Sequence, residues 1–112
     1  MKRYKTFNQI EESYFREHPE EIDDYINLIF DEFAKDGNLG ALLASLRVLS
    51  RAKGISKIAQ ETSMSRKGIQ KALSEDGNPK FSNVNAIVQA MGYRLTLQKI
   101  NGRTQNQPGP SI

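Results

Sequence analysis

Residues 55–74, ISKIAQETSMSRKGIQKALS, constrain the fold more than any other stretch of the chain. They read as two short helices separated by a tight turn. Ser56 is expected to cap the first helix and Ser65 the second, each hydroxyl accepting from a first-turn backbone N–H that otherwise lacks a partner. Ile58, Ala59, Met64, Ile69, Ala72 and Leu73 are the apolar or small positions. Ala59 is small where the two helices must cross, and Ile58, Met64 and Ile69 fill the space around the crossing. Ser63 stands in the turn where glycine is usual. Either Ser63 accepts a left-handed backbone at some cost, or the turn takes a different shape.

The positions left facing outward on the second helix are Ser65, Arg66, Lys67, Gln70 and Lys71. That face is short, cationic and amide-bearing, and carries no acid. It suits a helix lying in the major groove of DNA, where Arg or Lys reads guanine, Gln reads adenine, and either cation holds a phosphate. The plainer alternative is a helical hairpin whose basic face is simply solvated.

At 112 residues, of which 38% are hydrophobic, the chain can build one small helix-lined core. It has no cysteine, which removes disulfides, thiolate zinc sites and cysteine nucleophiles together and suits a reducing cytoplasm. No apolar run approaches a membrane span, and the basic start Met1-Lys2-Arg3-Tyr4-Lys5 is not followed by the apolar segment of a secretory signal. The net charge of +3 hides a division. Residues 1–36 hold five Lys and Arg against ten Asp and Glu, giving −5; residues 37–112 hold eleven against three, giving +8. The basic part is an electrostatic footprint for a polyanion, and the acidic part must face away from it or toward something else.

Taken in order, residues 8–17 suit a short helix, with Phe7, Ile10 and Tyr14 at helical spacing. Pro19 opens a second helix over 19–35, whose stripe of Ile22, Tyr25, Ile26, Ile29, Phe30 and Phe33 is the clearest amphipathic pattern in the chain. Asp36-Gly37-Asn38 ends it. Asn38 is expected to cap a third helix over 39–53, with Leu39, Leu42, Leu43, Leu46 and Leu49 inward, and Gly54 to stop it. After the two helices of 55–74 comes the turn Glu75-Asp76-Gly77-Asn78-Pro79. Ser82 is expected to cap a last helix over 83–91, ended by Gly92. Residues 93–100 then alternate apolar and polar, the period of a strand. A lone strand in a helical domain needs a ladder partner, and the economical one is the same strand of a second copy, antiparallel across a two-fold axis. Tyr93, Leu95 and Leu97 would then lie at the dimer interface. The alternatives are a strand frayed into solvent or one paired near the amino terminus. The Asn-, Gln- and Pro-containing residues 101–112 read as a disordered tail.

Catalytic chemistry finds little purchase. The single histidine, His18, sits beside Pro19 in an acidic linker, and pairs such as Glu20/Asp24 lie on an outward face with nothing to raise a carboxylate pKa. No convergent metal-ligand set and no phosphate loop is visible, so no catalytic residue, metal or other cofactor is expected, and the protein is not expected to be an enzyme.

The residues also carry a resemblance. SRKGIQKALSEDGNPKF, the ending AIVQAMGYRLTL, and the helix over 19–35 followed by DGN resemble the addiction-module antidote proteins, a HigA-like antitoxin family within the Xre/Cro-like helix-turn-helix superfamily. The likeness spans roughly residues 15–100. It implies an all-α fold: a five-helix, lambda-repressor-like helix-turn-helix domain with an N-terminal helical extension and a short C-terminal strand paired across a homodimer. On that basis residues 1–37 are the acidic extension, 38–100 the DNA-binding domain with its strand, and 101–112 the tail.

The resemblance further implies a bacterial, cytoplasmic antitoxin. It would neutralise a small basic toxin of the RelE/HigB-like class and bind its own operator as a repressor. The recognition-helix role falls on Ser65, Arg66, Lys67, Gln70 and Lys71. Phosphate contact falls on Ser56, Asn78 and Lys80. Apart from the resemblance, the charges of Arg47, Arg51, Lys53, Lys57 and Lys80 are expected to add salt-dependent, sequence-blind attraction. Charge makes the acidic helix and the segment before it, at −5, the expected contact for a basic toxin, with Phe7, Tyr14 and Phe15 as anchors; the alternative is that these aromatics close the core. Two other readings remain: a phage- or prophage-type repressor without a toxin partner, and an interaction adaptor that keeps the hairpin without using DNA.

Overall fold

The structure is a computed structural model, and it describes residues 7–100. The elements in order are α1 (Phe7–Glu17), a 3-10 turn (Pro19–Glu21), α2 (Ile22–Asp36), α3 (Leu39–Lys53), α4 (Ile55–Thr62), α5 (Arg66–Ala72) and α6 (Phe81–Ala90). The regular elements among the described residues are therefore all helices.

The third helix begins and ends where its punctuation says it should. The Asn38 side chain accepts from the Ala41 N–H at 3.1 Å, and the Gly54 N–H donates to the Ser50 carbonyl at 2.9 Å. Gly54 takes φ 117°, ψ 103°, a conformation that leaves the helix and at once starts α4. Leu42, Leu43, Leu46 and Leu49 are buried as expected; Val48 joins them, while Leu39 lies at the exposed margin. Ser50 is also fully buried, its hydroxyl satisfied by donating to the Arg47 carbonyl at 2.9 Å.

Helix α3 is the common floor of the fold. Both α1 and α2 pack on it, α4 follows from its end, and α6 packs on α4 and α5. From α2, Ile22, Ile26 and Ile29 are buried, and Tyr25, Phe30 and Phe33 pack around them, as the stripe predicts. Ile58, Ile69, Leu73, Ile87, Val88 and Met91 continue the same core through α4, α5 and α6. Fully burying a side chain of this size contributes roughly 1.5–3 kcal/mol, so this one continuous core is the main stabilising element.

Four local expectations need correction. Pro19 does not open an α-helix directly: residues 19–21 tighten into the 3-10 turn, and α2 starts at Ile22. Ser56 does not cap α4, because the turn-out at Gly54 starts that helix one residue before it. Ser82 does not cap α6 either. Lys80, extended at φ −66°, ψ 146°, precedes Phe81, and its carbonyl accepts from Asn83 and Val84. Finally, residues 93–100 form no strand ladder among the described residues. They run along α2 and enclose with it a groove of about 840 Å³ floored by Ile26, Phe30, Phe33 and Val88. Residues 1–6 and 101–112, including the expected tail, lie outside the described residues.

Candidate functional site

The turn between α4 and α5 is three residues long, and its shape decides how α5 is presented. Ser63 takes φ 62°, ψ 17°, the left-handed option of the two that the sequence leaves open. Thr62 steadies this corner: its hydroxyl donates to the Ile58 carbonyl at 2.8 Å and accepts from the Met64 N–H at 3.2 Å. Ser65 then caps α5, its hydroxyl oxygen accepting from the Gly68 N–H at 2.8 Å. Ile69 and Leu73 anchor the inner side of α5 in the core at 0% exposure.

The outer side carries the expected cations. Arg66, Lys67 and Lys71 are exposed, as are Ser65, Ser56 and Lys57 and, beyond α5, Asn78 and Lys80. Among the described residues none of these cations forms an ion pair. A helix face with uncompensated positive charge favours an anionic partner. Gln70 differs from its neighbours. It is half-buried on the flank of α5, turned toward a cleft of about 350 Å³ between α1, α3 and α5.

That cleft holds a connection absent from the sequence reading. The Arg51 Nε donates to Glu12 Oε1 at 2.9 Å, and its Nη1 donates to Gln70 Oε1 at 3.3 Å. Arg16 also donates to Glu12, at 2.5 Å, and to the Arg51 carbonyl at 3.3 Å. Burial pushes the Glu12 carboxyl up, but the hydrogen bonds and charges of Arg16 and Arg51 outweigh it and hold the group below its ordinary range. Glu11 has no such compensation, and burial raises it. Arg51 and Lys53 are thus less available as free phosphate contacts than charge alone suggests; the Lys53 ammonium lies 5.2 Å from the centre of the Tyr93 ring. The only sequence signal for the Glu12–Arg51 pair is opposite charge, and 39 residues separate the partners.

On the acidic side, Phe7 is 72% exposed and Tyr14 44%, whereas Phe15 is 7% exposed. Phe15 lies against Tyr25 with ring centres 4.8 Å apart, so it closes the core and is not available as an anchor. The Tyr14 hydroxyl donates to Glu21, which raises its pKa, with burial and the acidic charge around it acting in the same direction. His18, Glu20 and Glu21 bring potential metal-ligand atoms within 4.8 Å of one another, a convergence that the sequence reading misses. Adjacency along the 3-10 turn explains it, and Glu21 is already engaged by Tyr14.

Of the residues expected at a dimer interface, Tyr93 is tied to its own chain. Its hydroxyl donates to Asp23 Oδ1 at 2.5 Å, and burial followed by that carboxylate raises its pKa. Leu95 packs on the core, while Leu97 stands fully clear of the chain at 101% exposure.

Fold and charge together define a small all-helical protein with an uncompensated cationic helix and an acidic helix on one core. No helix among the described residues is long and apolar enough to cross a membrane. Residues 5–99 match the family described as probable addiction module antidote protein, and the chain belongs to that family. A Haemophilus influenzae protein, described as an uncharacterized protein, is 34% identical over 74 residues, which are 66% of this chain and 76% of the relative. No solved structure matches. Membership of an antidote family carries with it, in general terms, an antitoxin role and a toxin partner.

Proposed function

We propose that the protein is the antitoxin of a type II module, neutralising a RelE/HigB-like toxin and repressing its own operon as a homodimer on operator DNA. The observation that carries the DNA half is the outer side of α5, where Arg66, Lys67 and Lys71 are exposed and unpaired among the described residues. In this reading α4 and α5 are a helix-turn-helix, and α5 enters the major groove. Arg66, Lys67 and Lys71 face the bases and Gln70 reaches them from the half-buried flank of the helix, each good bidentate contact contributing roughly 1–3 kcal/mol of discrimination. Ser65, Ser56, Lys57, Asn78 and Lys80 lie toward the phosphates.

Two copies pair through residues 93–100, where Leu97 is exposed and the backbone has no ladder among the described residues. Their recognition helices then meet successive major grooves, about 34 Å apart. The toxin takes the acidic side, with Phe7 and Tyr14 as exposed apolar anchors and the carboxylates of α2 hastening encounter with a basic surface. The cytoplasm, with the nucleoid when DNA is bound, is the corresponding location. Membership of the antidote family supports this reading over a stand-alone phage-type repressor.

The test is a gel shift on the DNA upstream of the gene, with the wild type and the Lys67→Ala/Lys71→Ala variant. The variant should keep its helical circular dichroism and lose operator binding, with a shallower dependence of affinity on salt. Unchanged binding would remove α5 from the interface. Co-expression with the neighbouring reading frame and pull-down tests the toxin half separately.

A further inference from the structure

We infer that Arg51 is a positioning residue for base reading: fastened by Glu12, it fixes the carboxamide of Gln70 so that Gln70 presents hydrogen-bond donors to the DNA. The inference rests on α5 being the DNA-reading helix. A glutamine carboxamide has a donor end and an acceptor end, and the torsion that exchanges them is soft. A free Gln70 can therefore present either end, or both together to adenine. Arg51 removes that freedom. A guanidinium has only donors, so the group it meets must be the Gln70 carbonyl oxygen, as the 3.3 Å contact from Nη1 shows. Turning the amide over would set its NH2 against the guanidinium, donor to donor.

Arg51 is itself anchored. Its Nε is held by Glu12 at 2.9 Å, and its backbone carbonyl accepts from Arg16 at 3.3 Å. Three helices thus meet on one side chain: α1 supplies Glu12, α3 supplies Arg51 and α5 supplies Gln70. The NH2 left to Gln70 matches acceptors in the major groove, foremost guanine N7 and O6. The adenine preference expected of an unconstrained Gln is thereby replaced by one for an acceptor edge.

The test selects preferred duplexes from a random pool with the full-length protein, then measures affinity for each single-base-pair variant at several salt concentrations. Wild type, Gln70→Ala, Arg51→Lys, Arg51→Ala and Glu12→Ala are compared. Gln70→Ala should lose a preference of roughly five-fold or more at one position, where wild type favours guanine. Arg51→Lys keeps the charge but replaces the two-armed donor with a point charge, so it should lose the same preference with an unchanged salt slope. Adding Gln70→Ala to Arg51→Lys should cost nothing further at that position. Glu12→Ala should weaken the preference and steepen the salt slope by about one contact as Arg51 is freed.

Arg51→Ala separates positioning from phosphate contact: equal weakening on all sequences, with a shallower slope and the preference intact, would overturn the inference. So would a wild-type preference that survives in Arg51→Lys, or a Gln70→Ala protein that keeps the full base preference; both would leave DNA binding by α5 standing. Failure of the wild type to bind any duplex would refute the DNA reading and the inference with it.

Discussion

Replacing Ser63 by Gly should stabilise the protein, although it removes a side chain from a helical hairpin. Ser63 sits at φ 62°, ψ 17°, exposed, and its hydroxyl makes no hydrogen bond among the described residues. An L-residue in the left-handed region is disfavoured by roughly 1–2 kcal/mol, a penalty that glycine escapes. Against that, glycine's greater freedom in the unfolded chain returns roughly 0.4–1 kcal/mol. The difference leaves a net gain of about 0.5–1 kcal/mol, or a rise in Tm of about 2–8 °C for a domain of this size. Thermal unfolding followed by circular dichroism, with urea titration as a second measure, reads it directly. Ser63→Ala is the control: it keeps the penalty and should stay within about 0.5 kcal/mol of wild type. A Gly variant no more stable than wild type, or an Ala variant that gains equally, would refute the backbone argument.

Other perturbations test the core and the charge cluster. Leu46→Ala, at a fully buried position, should lose about 2–5 kcal/mol in urea unfolding; a loss below about 1 kcal/mol would mean that the helices close over the cavity. Glu12 contributes stability that is complete above its ordinary pKa of 4.5, because its folded pKa is lowered, and that is lost as pH falls through the lower folded value. Urea midpoints measured downward from neutral pH should therefore fall less steeply below pH 4.5 for Glu12→Gln than for wild type.

The contrast between well-read and misread elements has a physical basis. The third helix is legible from end to end because its signals are local: an Asn with a cap to make and a Gly that leaves the helix. Ser56 and Ser82 carry the same kind of signal and cap nothing. The backbone turns at Gly54 and Lys80 fix the start of each helix first, and a serine already inside the helix no longer has the non-helical backbone from which an N-cap hydroxyl reaches a first-turn N–H. The apolar stripe of α2 is legible because burial follows helical period; the 3-10 turn before it is not, since Pro19 suits either geometry. Alternation in residues 93–100 records a preference for extended backbone but cannot supply a ladder, and none forms among the described residues. At the candidate site, Ser65, Arg66, Lys67 and Lys71 are exposed as the pattern requires. The half-buried flank occupied by Gln70 is hidden, because it depends on Arg51 and Glu12, and 19 and 39 residues separate the contacts that make it.

The central place of α3 bears on how the molecule comes apart. Helices α1 and α2 both use it as their floor, and α4 continues from its end. Lifting either neighbour opens the one continuous core to which the α3 leucines belong, so partial opening of the acidic side is not a private event. Amide protons in the middle of α3 are therefore expected to exchange only through opening of the whole domain, which would give the charged faces on either side of it a common lifetime.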